Sequence, residues 1–199
     1  MAITLPAREY DRTMNSEIER LLYQNHINTI DAEGLVGDLN EEQLLWRPAP
    51  NQWSVGECLE HLNITHRQWL PLMEDASREG RDRGTLHPGP YSYGFLSRLF
   101  LRLVQPPPRL KVKAPAPFQP PAHLDKDRVI EDFKTLHARA EQVIRDSNGI
   151  DLAKVRVQSA FSRHIRYPLG MGFWILAAHD RRHILQARNV RRANGFPED

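Results

Sequence analysis

Residues 53–79 read Trp53-Ser-Val-Gly-Glu-Cys-Leu-Glu-His-Leu-Asn-Ile-Thr-His-Arg-Gln-Trp-Leu-Pro-Leu-Met-Glu-Asp-Ala-Ser-Arg-Glu79. Ser54 and Glu57 have the spacing of a reciprocal capping box: the serine hydroxyl accepts from the Glu57 amide while the Glu57 side chain reaches back. Val55, Leu59, Leu62, Trp69 and Leu72 then follow at helical spacing, so a long helix starts here, with a kink expected at Pro71. Upstream, Ile18, Leu21, Leu22, Ile27 and Ile30 recur at three- and four-residue steps, which predicts a first helix over about 15–38. Asn40 to Trp46 reads as one capped turn, and residues 47–52 as a loop. Downstream, a third helix is predicted from Arg128 to Ser147, capped by Asp125 or Asp127 and stopped by Asn148-Gly149. Its apolar stripe is Val129, Ile130, Phe133, Leu136, Ala140, Val143 and Ile144. Residues 151–167 hold a short extended stretch or strand. A fourth helix begins after Pro168 and stops near Asn194-Gly195.

Four long helices without repeated strand–helix alternation predict an all-α fold, a four-helix bundle in one domain over 1–199. The connection between helices two and three is long and rich in proline: nine of the 15 prolines lie between Arg81 and Leu124. Tyr93 to Val104 within it is compatible with a short apolar helix, whereas Gln105 to Pro121 is expected to be extended. Tyr91, Tyr93, Phe95, Leu99, Phe100 and Phe118 are too apolar for a solvated linker. The segment 82–124 is therefore expected to pack over one end of the bundle.

Composition excludes several classes. The chain is 40% hydrophobic and 26% charged, ordinary for a globular protein, and about 70% of its open-chain surface can be buried on folding. Lys+Arg 27 against Asp+Glu 25 leaves a net charge of +2, so no chain-wide field recruits nucleic acid or an anionic membrane. The single cysteine, Cys58, excludes an internal disulfide. The opening Met1 to Thr13 lacks the apolar run of a signal peptide, and no window approaches a membrane span, so a cytoplasmic protein is expected. Nine histidines, by contrast, is about twice the usual share.

His179 and His183 stand four apart in Ala178-His-Asp-Arg-Arg-His-Ile-Leu-Gln186. On a helix this puts both imidazoles on one face, one turn apart, as two ligands of one metal require. The same spacing also occurs in pairs of half-buried histidines that bind nothing. The small, apolar run from Gly170 to Ala178 implies that this part of the helix is buried, and buried histidines need partners. A third ligand can come from His61, which shares a stripe with Glu57, Cys58 and Thr65 or Ile64 and can face inward. His66 lies about 140° round the helix from His61. It is grouped with His26, His87, His123, His137 and His164 as surface or network residues, although His26 could reach the same core.

These two stretches together resemble the DinB-like superfamily, which includes the bacillithiol- and mycothiol-dependent transferases. The resemblance rests on the W-S-x-x-E-x-x-x-H pattern ending at His61 and the H-x-x-x-H-x-x-Q pattern ending at Gln186, and it follows the order of all four helices. It implies a four-helix bundle carrying one divalent metal ion, nickel or zinc most often, on His61, His179 and His183. It further implies transfer of a small-molecule thiol to an electrophilic substrate. The insertion 82–124 is longer than the connection usual in that family and is expected near the metal.

Other residues have plainer readings beside the chemical ones. Gln186 can orient His183 or a bound water, or can be an exposed helix glutamine. Glu57 is explained by its capping role, and Cys58 by core packing. Asp180 occupies the position of the glutamate in H-E-x-x-H proteases but is shorter, and it is expected at the surface or behind a ligand, paired with an arginine. Trp46, Trp53, Trp69 and Trp174 are expected to pack in the core, not to stack nucleobases. The C-terminal arginines are spread around their helix as a solvated face. Three activities remain: thiol transfer, metal-dependent hydrolysis at the same three histidines, and a metal-binding stress protein without turnover. The expected partners are small molecules, with neither nucleic acid nor membrane among them; a homodimer is left open.

Overall fold

The computed structural model describes residues 14–106 and 113–198. Its helices are α1 (Ser16–Val36), α2 (Glu41–Leu45), α3 (Val55–Asp82), α4 (Phe95–Val104), α5 (Lys126–Asp146) and α6 (Leu169–Arg191). A two-stranded antiparallel hairpin, β1 (Arg156–Ser159) and β2 (Ser162–Pro168), leads into α6. The four long helices of the sequence reading are α1, α3, α5 and α6. α1 and α3 each pack against both α5 and α6, closing an all-α four-helix bundle.

Local chemistry sets the helix starts. Ser54 Oγ accepts from the Glu57 amide at 3.1 Å, and Glu57 Oε2 accepts from the Ser54 amide at 2.9 Å. Asn40 and Gln43 form a second capping box on α2. Asp125, not Asp127, caps α5 by accepting from the Arg128 amide at 2.9 Å. α3 continues through Pro71 to Asp82. α6 stops at Arg191, three residues short of Asn194, and Gly195 takes φ 83° in the turn that follows.

The interior is layered along the bundle axis. One apolar cluster joins Ile18, Leu21, Trp69, Met73, Leu136, Ala140, Val143 and the α6 residues from Leu169 to Leu176. A second joins Leu35, Val55, Leu59, Leu62, Val129, Phe133, Ile184 and Val190. Between them lies a buried polar layer with residues from every long helix: Asn25, Asn28, His61, His66, His137 and Asp180. Its amides are satisfied by backbone: Asn25 donates to the His137 carbonyl at 3.1 Å and Asn28 to that of Ala177 at 3.0 Å. The α1 face therefore differs from expectation. Asn25 and Asn28 take the inward positions at mid-height, and Ile30 points outward.

The long connection divides in two. Tyr91 and Tyr93 are half-buried; the Tyr93 hydroxyl donates to Glu17 Oε1 at 2.5 Å, beside the Trp174 indole, near the start of α6. Among the described residues of the connection, the 3-10 turn Ala116–Phe118 reaches the polar layer, with Phe118 2% exposed. Of the aromatics expected to cover the bundle, Phe118 is buried and Phe95 is 70% exposed. The extended reading of 105–121 is interrupted by that turn, and its part over 107–112 falls outside the described residues.

Candidate metal centre

α3 and α6 bring His61, His179 and His183 together at the polar layer. His61 Nε2 stands 3.2 Å from His179 Nε2, and the three rings lie 4.4 to 5.0 Å apart between centroids. One nitrogen from each ring lies within 4.8 Å of the other two. Around a tetrahedral ion with bonds of about 2.0–2.1 Å, ligand nitrogens are about 3.3–3.4 Å apart, so the His61–His179 pair already has ligand spacing.

The other ring nitrogens fix the tautomers. His61 Nδ1 lies 2.6 Å from the Phe118 carbonyl oxygen, which can only accept, so the proton sits on Nδ1 and Nε2 presents its lone pair. His183 Nδ1 donates in the same way to Gln186 Oε1 at 3.0 Å. Two rings thus have the tautomer, and an orienting partner behind the ring, that metal-ligating histidines need. Burial lowers the pKa of His61. Burial, then the His61 charge, lowers His179 to about 3, and burial with the neighbouring His179 and His61 lowers His183 well below its ordinary value. All three are held neutral, the form that coordinates.

The group contains no carboxylate and no thiol. His61 is buried, while His179 and His183 each keep part of their surface accessible, so the site can be approached from solvent. Trp53 forms a wall, its ring 4.8 Å from His61 and 5.8 Å from His183. Three neutral imidazoles fit a divalent ion.

The family model of the DinB superfamily matches residues 27–187, which include all three histidines. The chain belongs to the DinB superfamily. No curated protein and no solved structure matches it.

The rest of this DinB domain's polar layer departs from the sequence reading. Asp180 is 1% exposed, and it pairs with two histidines instead of an arginine. Its Oδ1 lies 3.0 Å from His66 Nε2 and its Oδ2 3.5 Å from His137 Nε2. Burial alone would raise the Asp180 pKa, but His66 and His137 outweigh it and hold the carboxylate ionised. These three residues also have ligand atoms within 4.8 Å of one another. The two imidazoles stack nearly parallel, 22° between planes; His66 Nε2 hydrogen-bonds the carboxylate, whereas His137 gives its Nδ1 proton to the Phe133 carbonyl and approaches Asp180 without a hydrogen bond. Of the two readings open for them, surface or network, His66 and His137 take the second; their partner is a buried carboxylate on a third helix, which sequence spacing does not reveal. His26 is exposed and does not reach the core.

The remaining candidates resolve simply. Glu57 is used by its cap and by Arg47, whose Nε donates to it at 2.8 Å. Cys58 is fully buried in the second apolar cluster, and burial pushes its thiol up. Phe118 covers the site as expected of the 82–124 segment, whereas Trp53, expected in the core, stands against the histidines. A hint was position: Trp53 immediately precedes the α3 cap, eight residues or just over two helical turns before His61.

Proposed function

We propose that this DinB-superfamily protein binds one divalent ion, nickel or zinc, through His61, His179 and His183 and transfers a low-molecular-weight thiol to an electrophilic small molecule. One observation carries the reading: three neutral imidazoles converge with two Nε2 lone pairs fixed by Phe118 and Gln186, and no carboxylate joins them. The ion, when bound, supplies a Lewis-acid position that favours the thiolate over the thiol. The protein supplies the setting. Trp53 gives an apolar wall for the carbon part of a substrate, and Arg182 adds a positive charge near His179 and His183 that favours an anionic thiol. Hydrolysis needs a base for water, and two carboxylates close in sequence to these histidines are engaged elsewhere: Asp180 by His66, Glu57 by its cap and Arg47. This favours transfer over hydrolysis.

The test begins with metal analysis of protein purified without a nickel column. About one nickel or zinc per chain is expected, with none in His61→Ala. A panel of small thiols and electrophiles then follows free-thiol loss with and without the metal. Metal-dependent thiol consumption supports the proposal. Stoichiometric metal in His61→Ala refutes the ligand set, and metal-dependent ester or amide hydrolysis without thiol consumption refutes the transfer chemistry.

A further inference from the structure

A surface helix ordinarily turns its apolar stripe toward the core. α4, Phe-Leu-Ser-Arg-Leu-Phe-Leu-Arg-Leu-Val over 95–104, does the reverse. Its contact with the bundle is made by Leu101 and Val104, and none of its residues is buried. Phe95, Leu96, Leu99, Phe100 and Leu103 are 42% to 78% exposed. At 100° per residue these five cover an arc of about 140°, on the side away from Leu101 and Val104. Arg98 and Arg102 fall together along one edge of that arc. Both are exposed, and neither has a hydrogen bond or ion pair among the described residues. From Arg83 to Leu124 the sequence has no aspartate or glutamate, so the near balance of charge over the whole chain conceals a one-signed segment.

We propose that the outward face of α4 docks the protein onto an anionic lipid surface. A ten-residue helix is about 15 Å long, half of a bilayer core, so α4 lies in the interface and does not cross it. Its apolar arc enters the acyl boundary while Arg98 and Arg102 meet headgroup phosphates, the arrangement of interfacial amphipathic helices. A second copy of the chain is the poorer occupant. A two-fold contact sets a patch against its own copy and so brings no acidic residue from this segment to meet Arg98 and Arg102. The docking is independent of the metal chemistry.

Flotation of the full chain with vesicles tests it. Binding is expected to phosphatidylcholine mixed with phosphatidylglycerol, to fall steeply with salt, and to be weak with phosphatidylcholine alone. Leu96→Glu with Leu99→Glu should abolish it without loss of helical circular dichroism, since both side chains are exposed. Arg98→Gln with Arg102→Gln should weaken partitioning by about thirty-fold, roughly five-fold per arginine. Failure to bind anionic vesicles at low salt overturns the proposal, as does equal binding by the Leu96/Leu99 variant. A solution dimer that dissociates on Leu96→Glu would assign the face to a second copy and overturn it as well.

Discussion

The buried histidines make the metal-free protein sensitive to mild acid, and His179 allows the effect to be calculated. Its pKa is lowered to about 3 in the folded chain, against about 6.5 when unfolded. On acidification the unfolded chain takes the proton first. The stability tied to His179 is therefore complete above about pH 6.5 and is lost as pH falls toward the folded value. Between pH 7.5 and 5.5 the unfolded state gains about 1.4 kcal/mol from protonating this one ring, and the folded state gains nothing. The figure holds for any folded value below about 4.5, because the folded ring then binds no proton at pH 5.5. In a chain of this size it corresponds to about 3–6 °C in melting temperature. The assay is calorimetry or denaturant unfolding of chelated wild type and His179→Gln at both pH values. Wild type should lose about 1.4 kcal/mol more than the variant. Removing His179 also relieves His183, whose pKa it helps to depress, so coupling can only widen the gap. Equal losses in the two proteins would refute the account of a buried neutral imidazole.

Three further outcomes follow from particular contacts. Gln186→Ala removes the acceptor that orients His183 and should weaken metal affinity about ten- to a hundredfold in a chelator-competition titration; unchanged affinity would mean the ring is positioned by packing alone. Asp180→Ala leaves His66 and His137 buried without their shared partner and should cost about 3–5 kcal/mol in urea unfolding, whereas a loss under 1 kcal/mol or so would show the pairing to be incidental. Glycines on two helices should respond oppositely in thermal melts. Gly34→Ala, with nothing near the new methyl, should stabilise by about 0.5–1 kcal/mol. Gly80→Ala sets a methyl 2.6 Å from Val155 Cγ2 and should destabilise, since overpacking costs about 1–3 kcal/mol against that same gain.

Much of the bundle was legible because its signals are local. The Ser54–Glu57 box, the Asp125 cap and the three-and-four spacing of Val129 to Ile144 act within a turn or two, so neighbouring residues suffice to read them. The same holds for the pairing of His179 with His183, one turn apart on a single helix. The layered interior was less legible. Asn25 and Asn28 break the apolar stripe of α1, and only carbonyls on α5 and α6 explain why amides are tolerated there.

By itself the sequence determined where the four long helices start, which apolar stripes α3 and α5 bury, and that His61, His179 and His183 can share a face-to-face region of α3 and α6. Tertiary structure alone decided which second partner each histidine has. His61 is turned by a carbonyl 57 positions away, at Phe118, and His66 and His137 converge on a carboxylate of a third helix. It also decided that α4 faces its apolar side outward, although the same ten residues could have been core. The physical reason is range. Capping and periodicity are set by bonds across three or four residues, whereas the choice of a buried partner and the direction of an amphipathic face depend on what the chain places opposite them after it folds.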